Sequence, residues 1–109
     1  PQPLSEATFF ILVSLRSGPR HGYAIMKEVE SLSRGRVLLS TGTLYGAIKR
    51  LLAEGWISRL DLPEEAEDGR ERKSYALTSH GRKVLQGEVR RIQELARIAR
   101  QAETDLGAI

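Results

Sequence analysis

Between Leu4 and Leu15 the apolar residues crowd onto two stripes of a helix. Leu4, Ala7, Ile11 and Leu15 form one stripe, Phe9, Leu12 and Val13 the other, with Phe10 between them. Ser5 is placed to cap this helix, which is predicted to run to about Arg16 and to stop at Gly18-Pro19. A helix apolar on so many sides predicts burial on more than one side. A domain this small scarcely supplies that alone, so Phe9 and Leu12 are read as surplus surface for a partner subunit. His21 to Leu32 reads as a second helix with Ile25, Val29 and Leu32 inward, Tyr23 and Met26 packing beside them, and Lys27, Glu28 and Glu30 in solvent. His21 is expected to cap or close the turn after Gly18-Pro19. Ser33 to Arg36 is a loop, and Val37-Leu38-Leu39 reads as a short strand.

The third helix carries the most specific pattern. It starts at Ser40 or Thr41 and stops at Gly55. Leu44, Ile48, Leu51 and Leu52 make its apolar stripe, whereas Thr43, Gly46, Lys49, Arg50 and Ala53 fall on the opposite side. That outer face is small, hydroxylic and basic. A helix entering a DNA major groove needs such a face, because bulky acidic side chains would block or repel it. The same pattern also suits a core helix with a solvated basic face. Tyr45 sits at the edge of the stripe, where its ring packs in the core or its hydroxyl reaches outward.

Trp56 to Leu62 and Arg72 to Leu77 read as strands, the second with Tyr75 and Leu77 on one face. Residues 63–71 make a polar, charged loop between them, so the pair forms a hairpin with a long tip. Thr78 or Ser79 then caps a final helix with a seven-residue repeat. Leu85, Ile92, Ala99 and Leu106 occupy one seam position; Glu88, Leu95, Ala102 and Ile109 occupy the other, with Val89 beside the polar member. This repeat predicts packing against a helix of another subunit. The expected fold is mainly α with a small β-hairpin, a winged helix-turn-helix over residues 1–78 plus a long dimerisation helix over 79–109.

Charge sharpens this picture. The chain of 109 residues carries a formal +3, yet residues 61–71 hold six acids and one base, a net −5 that leaves +8 on the remainder. A basic body predicts a polyanionic partner. Lys49 and Arg50 can contact phosphates or guanine edges. Thr41 and Thr43 lie at a helix N-terminus, where hydroxyls and free N–H groups suit a phosphate. The acids Glu64, Glu65, Glu67, Asp68 and Glu71 would be repelled by DNA. Either the loop points away and only Arg70, Arg72 and Lys73 approach the duplex, or the wing contributes little.

Other chemistries find little support. Without cysteine, disulfides and thiolate metal sites are excluded, and His21 and His80 sit in no ligand motif. No metal or cofactor is expected. There is no glycine-rich phosphate loop and no histidine near a nucleophile, so an enzyme is not predicted. No apolar run reaches membrane-span length, and Pro1-Gln2-Pro3 leads straight into a helical pattern without a signal-peptide layout. A soluble, cytoplasmic protein is expected. The competing class is a winged-helix protein-interaction module that uses the same face, or the acidic wing, against a protein.

Several motifs resemble the PadR family of bacterial transcriptional regulators. They are His21-Gly22-Tyr23-Ala24-Ile25, Gly42-Thr43-Leu44-Tyr45, the run from Lys49-Arg50-Leu51 to Glu54-Gly55-Trp56-Ile57, and Arg72-Lys73-Ser74-Tyr75-Ala76-Leu77-Thr78 followed by Gly81-Arg82. The resemblance covers about Leu4 to Arg82, and the lone final helix matches the family's short subgroup. It implies a dimeric winged-helix repressor of an inverted-repeat operator, with the last helix packed on the partner's first and last helices. It carries DNA contacts over to Thr41, Thr43, Tyr45, Lys49 and Arg50, and wing contacts to Arg72 and Lys73 with Arg70 beside them. The dimerisation surface then comprises Phe9, Leu12, Leu85, Ile92, Leu95, Ala99 and Leu106. The family often controls efflux or detoxification genes, so an unidentified small-molecule effector is an implied partner. Some members stack flat aromatic drugs between tryptophans at the dimer centre. Here the one tryptophan is Trp56, in the hairpin, and the final helix has no aromatic residue, so an effector acts elsewhere or is absent.

Overall fold

The computed structural model describes residues 2–61 and 73–108. Its elements run α1 (Glu6–Ser14), β1 (Arg20–His21), α2 (Gly22–Leu32), α3 (Thr41–Ala53), β2 (Ile57–Asp61), β3 (Lys73–Leu77) and α4 (Ser79–Gly107). The expected mainly α, winged helix-turn-helix class is observed.

Local chemistry sets the helix ends. The Ser5 hydroxyl accepts from the Thr8 N–H at 3.1 Å, opening α1. Ser40 does the same for α3 through the Thr43 N–H at 3.1 Å, and Thr78 for α4 through the Gly81 N–H at 2.9 Å. These bonds satisfy N–H groups that have no partner within the helix. Gly55, at φ 73°, closes α3: its N–H donates to Leu52 O and the Trp56 N–H reaches back to Leu51 O. α1 ends at Ser14 rather than near Arg16, and the chain turns over Leu15 to Ser17 ahead of Gly18-Pro19.

The sheet is three-stranded and antiparallel in the order β1-β3-β2. The expected hairpin is its β2-β3 part, with Ile57 opposite Leu77 and Asp61 opposite Lys73. β1 pairs Arg20 with Tyr75 and His21 with Ser74. His21 thus serves as a strand residue at the N-cap position of α2, and its side chain makes no capping bond. Val37-Leu38-Leu39 joins no sheet, and a Ser33 hydroxyl that accepts from the Val37 N–H holds its start. Val37 to Leu39 therefore forms no strand before α3.

One core joins these elements. Ile11, Leu12 and Leu15 of the first helical segment meet Ile25 and Val29 of α2 and Leu44, Ile48 and Leu51 of α3, with Ile57, Tyr75 and Leu85 closing the cluster. Leu12 is fully buried here and Phe9 is half-buried against the same core. Leu12 is therefore no surplus surface: its own subunit already covers it, because α2 and α4 pack against α1. Leu85 is likewise buried inside the subunit rather than held open on a seam. Arg20 ties the layers, its Nε donating to Ser14 O at 2.7 Å while its guanidinium lies 3.7 Å from Glu28.

The helix α4 has 29 residues, about 43 Å at 1.5 Å per residue. Its first turns pack on the body, and after Glu88 none of its described residues is buried. The molecule consequently measures 64 × 28 × 22 Å. No helix among the described residues is long and apolar enough to cross a membrane.

Candidate nucleic-acid interface

α3 has two unlike faces, as its pattern requires. Leu44, Ala47, Ile48 and Leu51 are buried, while Thr41, Thr43, Gly46, Lys49 and Arg50 are exposed. Among the described residues no carboxylate lies within ion-pair distance of Lys49 or Arg50. The guanidinium of Arg50 lies back along the helix over Gly46, where a Cβ would stand 3.9 Å from its nearer nitrogen. The Thr43 hydroxyl accepts from the Ser40 hydroxyl at 2.9 Å, so the cap and the outer face share one group. Tyr45 is 43% exposed.

Tyr45 packs against the neighbouring helix rather than within the core cluster. Its hydroxyl presses on Gly22 at the start of α2, where an added Cβ would also meet the ring carbon bearing that hydroxyl at 3.0 Å. A methyl group at position 22 would push the ring away. Glycine is needed there for close approach, a requirement that the residue type hints at but that needs the helix pairing to be seen. Tyr75 lies behind, and its phenol is raised above its ordinary pKa, chiefly by burial and then by the neighbouring Tyr45.

At the wing, Lys73 opens β3 and is exposed. Arg70 and Arg72 lie outside the described residues, as do Glu64, Glu65, Glu67, Asp68 and Glu71. Arg59 and Asp61 of β2 bond each other at 3.1 Å, so the base and acid at the described end of the wing neutralise one another.

The expected seam of α4 divides in two. Ile92 and Leu95 are open at 38% and 50%, and Ala99 and Leu106 are exposed, whereas Leu85 belongs to the core. Ile98, half exposed and absent from the seven-residue register, joins Val89, Ile92 and Leu95 as exposed large apolar side chains. Glu88 is no seam residue. Its buried carboxylate accepts from the Leu4 N–H at 3.0 Å and from two Arg91 nitrogens at 2.7 and 2.8 Å. Those bonds, led by the Arg91 pair, hold its pKa below the usual glutamate value. The clamp fixes the N-terminal segment on α4 beside a cavity of about 650 Å³ that Leu4, Trp56, His80, Lys83 and Val84 help to line. Tyr23 does not pack as expected; it is 64% exposed.

The sequence profile of the PadR-like family of transcriptional regulators matches residues 11–87, which take in α2, α3, the sheet and the first turns of α4. The chain belongs to this family. Two curated relatives are similar to it. One is an uncharacterised 37.1 kDa transposon protein of Streptomyces fradiae, 37% identical over 92 residues, covering 84% of this chain and 24% of that protein. The other, a Mycobacterium tuberculosis protein named as a transcriptional regulator, is 38% identical over 77 residues, covering 71% of this chain and 66% of its own length. The matched part thus spans less than two thirds of either relative. Among solved structures, a PadR family transcription regulator of Clostridium difficile superposes with TM-score 0.75 at 26% identity, covering 89% of this chain and 97% of that one. Bacillus subtilis PadR in complex with operator DNA superposes with TM-score 0.65 at 26% identity, covering 75% of this PadR-family chain and 45% of that chain.

Proposed function

We propose that this PadR-family regulator is a repressor that binds an inverted-repeat operator as a homodimer. The observation that carries this reading is the exposed, small, hydroxylic and basic face of α3 on a helix whose other face is core. Arg50 and Lys49 offer donors to guanine edges or phosphates, Thr41 and Thr43 donate near the helix start, and the Tyr45 hydroxyl stands at the rim. Lys73, with Arg72 and Arg70, supplies the wing's cations. The operator-bound relative in Bacillus subtilis supports DNA as the partner.

In this division of labour residues 1–78 read DNA and residues 79–109 pair the subunits. Ile92, Leu95, Ile98 and Leu106 give α4 an apolar row that one subunit leaves open. A solvent-exposed row of this length favours burial against another helix. Repression follows from a dimer that occupies DNA needed by the transcription machinery. An effector that relieved it would have the cavity beside Trp56 as a receptacle next to the base of α4.

Selection of bound fragments from random DNA tests this function. The enriched sequence is expected to be an inverted repeat with half-site centres about one helical turn, roughly 34–36 Å, apart. Failure to enrich any sequence would contradict it and leave the protein-interaction module as the better account.

A further inference from the structure

Tyr23 is the most exposed aromatic residue among the described positions, and the recognition face described above leaves it unused. Lys27, one helical turn on, holds its ammonium 5.6 Å from the centre of the Tyr23 ring. The pair is therefore a phenol donor and a cation held together on one edge of α2. Two contacts fix where that edge lies. Gly22, the preceding residue, touches the Tyr45 hydroxyl of α3. Tyr23 and Lys27 also line a groove with Leu38 and Leu39, and Leu39 leads directly into Ser40, the cap of α3. The Tyr23–Lys27 edge thus runs beside the N-terminal half of α3.

In a helix-turn-helix unit the first helix crosses the sugar–phosphate backbone while the second enters the groove. We propose that Tyr23 and Lys27 form a docking site for a phosphate of the DNA backbone flanking the groove that α3 enters. The inference rests on the reading of α3 given under Proposed function. Both side chains can donate to a phosphate oxygen. The surrounding acids agree with the placement. Glu28 is turned to Arg16 and Arg20, 3.7 Å from each. Glu30 lines the same groove two helical turns beyond Tyr23, so its charge favours a phosphate at the Tyr23 end. Leu38 leaves an apolar spot, 69% exposed, but the groove holds only about 130 Å³. That is below the several hundred Å³ typical of sites that bury a ligand. A phosphate group needs no such depth.

The test is titration of the whole chain with a mixed-sequence duplex between ~50 and ~200 mM salt. Lys27→Met keeps the apolar stem and removes the charge. It is expected to weaken binding about tenfold at the low-salt end and to reduce the slope of log affinity against log salt by about 1. Lys27→Arg should restore both. Tyr23→Phe should weaken binding about threefold without changing the slope, since the phenol is neutral. Base preference should be untouched in all three variants. Wild-type binding with Lys27→Met and Tyr23→Phe both indistinguishable from it would overturn the site and turn the surface toward a protein partner. A wild type that binds no DNA would instead defeat the reading of α3, and this proposal with it.

Discussion

Gly81 and Gly87 lie six residues apart on α4, and alanine should act oppositely at the two. In a helix, glycine-to-alanine is ordinarily worth up to about 1 kcal/mol of added stability. At Gly87 a Cβ meets nothing within 4 Å, so Gly87→Ala should stabilise by up to that amount. At Gly81 a Cβ would stand 2.7 Å from the carbonyl carbon of Trp56 and 3.0 Å from its Cα. Those are backbone atoms, which no rotamer change can move. The helix start must lift, and the bond from the Thr78 N–H to Trp56 O, 3.1 Å long, must lengthen. The overpacking strain is about 1–3 kcal/mol and the weakened hydrogen bond costs about 1 kcal/mol. Together they exceed the gain in helix propensity, leaving Gly81→Ala destabilised by about 1–3 kcal/mol.

The joint matters for function because Thr78 also donates to Gly55 O at 2.6 Å, where α3 ends. The end of α3 and the start of α4 are thus pinned to one turn. A tilt of roughly 5° here swings the far end of a ~43 Å helix by roughly 4 Å. In the proposed dimer that displacement would shift the spacing of the two α3 helices, so operator affinity should fall further than stability alone explains. Urea unfolding of the wild type and both variants at one protein concentration measures the first effect. Gly81→Ala as stable as wild type, or more so, would refute the close approach.

Charging the apolar row of α4, with Ile92→Glu and Leu95→Glu together, should turn a sedimenting dimer into a monomer at micromolar concentration. Two unpaired carboxylates in a buried seam would cost several kcal/mol, and operator affinity should collapse because the second half-site no longer binds intramolecularly; a monomeric wild type would exclude the seam. Glu88→Gln should lower the melting temperature at neutral pH and flatten its acid limb. The wild-type carboxylate has its pKa lowered by Arg91, so its stabilisation is full above the ordinary glutamate value of 4.5 and is lost as pH falls through the lower folded value. Identical acid limbs in the two proteins would show that the clamp contributes nothing to folding.

The helices were legible because their signals are local. Ser5, Thr78 and Gly55 act on groups within a few residues, and the stripe of α3 repeats at a fixed period. The family motifs carried the fold class as well. Pairings across the chain were not legible. β1 is two residues long, too short to show alternation, and exists only because β3 offers it an edge. Leu12 and Leu85 looked like surplus because periodicity reports which face is apolar, not which neighbour covers it. The same blindness hid the exposure of Tyr23 and the burial of Glu88, whose partner at Leu4 lies 84 residues away. On the interface, the outer face of α3 was readable from composition at helical spacing. The Gly22–Tyr45 approach needed two helices in place.

The role of α3 is tested most sharply by the affinity of Lys49→Ala and Arg50→Ala for a selected inverted repeat and for a scrambled duplex. If Arg50 reads a base, Arg50→Ala should lose about 1–3 kcal/mol on the repeat and little on the scramble. If it holds a phosphate, both duplexes should weaken alike and the salt slope should fall by about 1. Affinities for both duplexes that are unchanged in both variants would contradict the assignment of α3 as the helix that reads DNA.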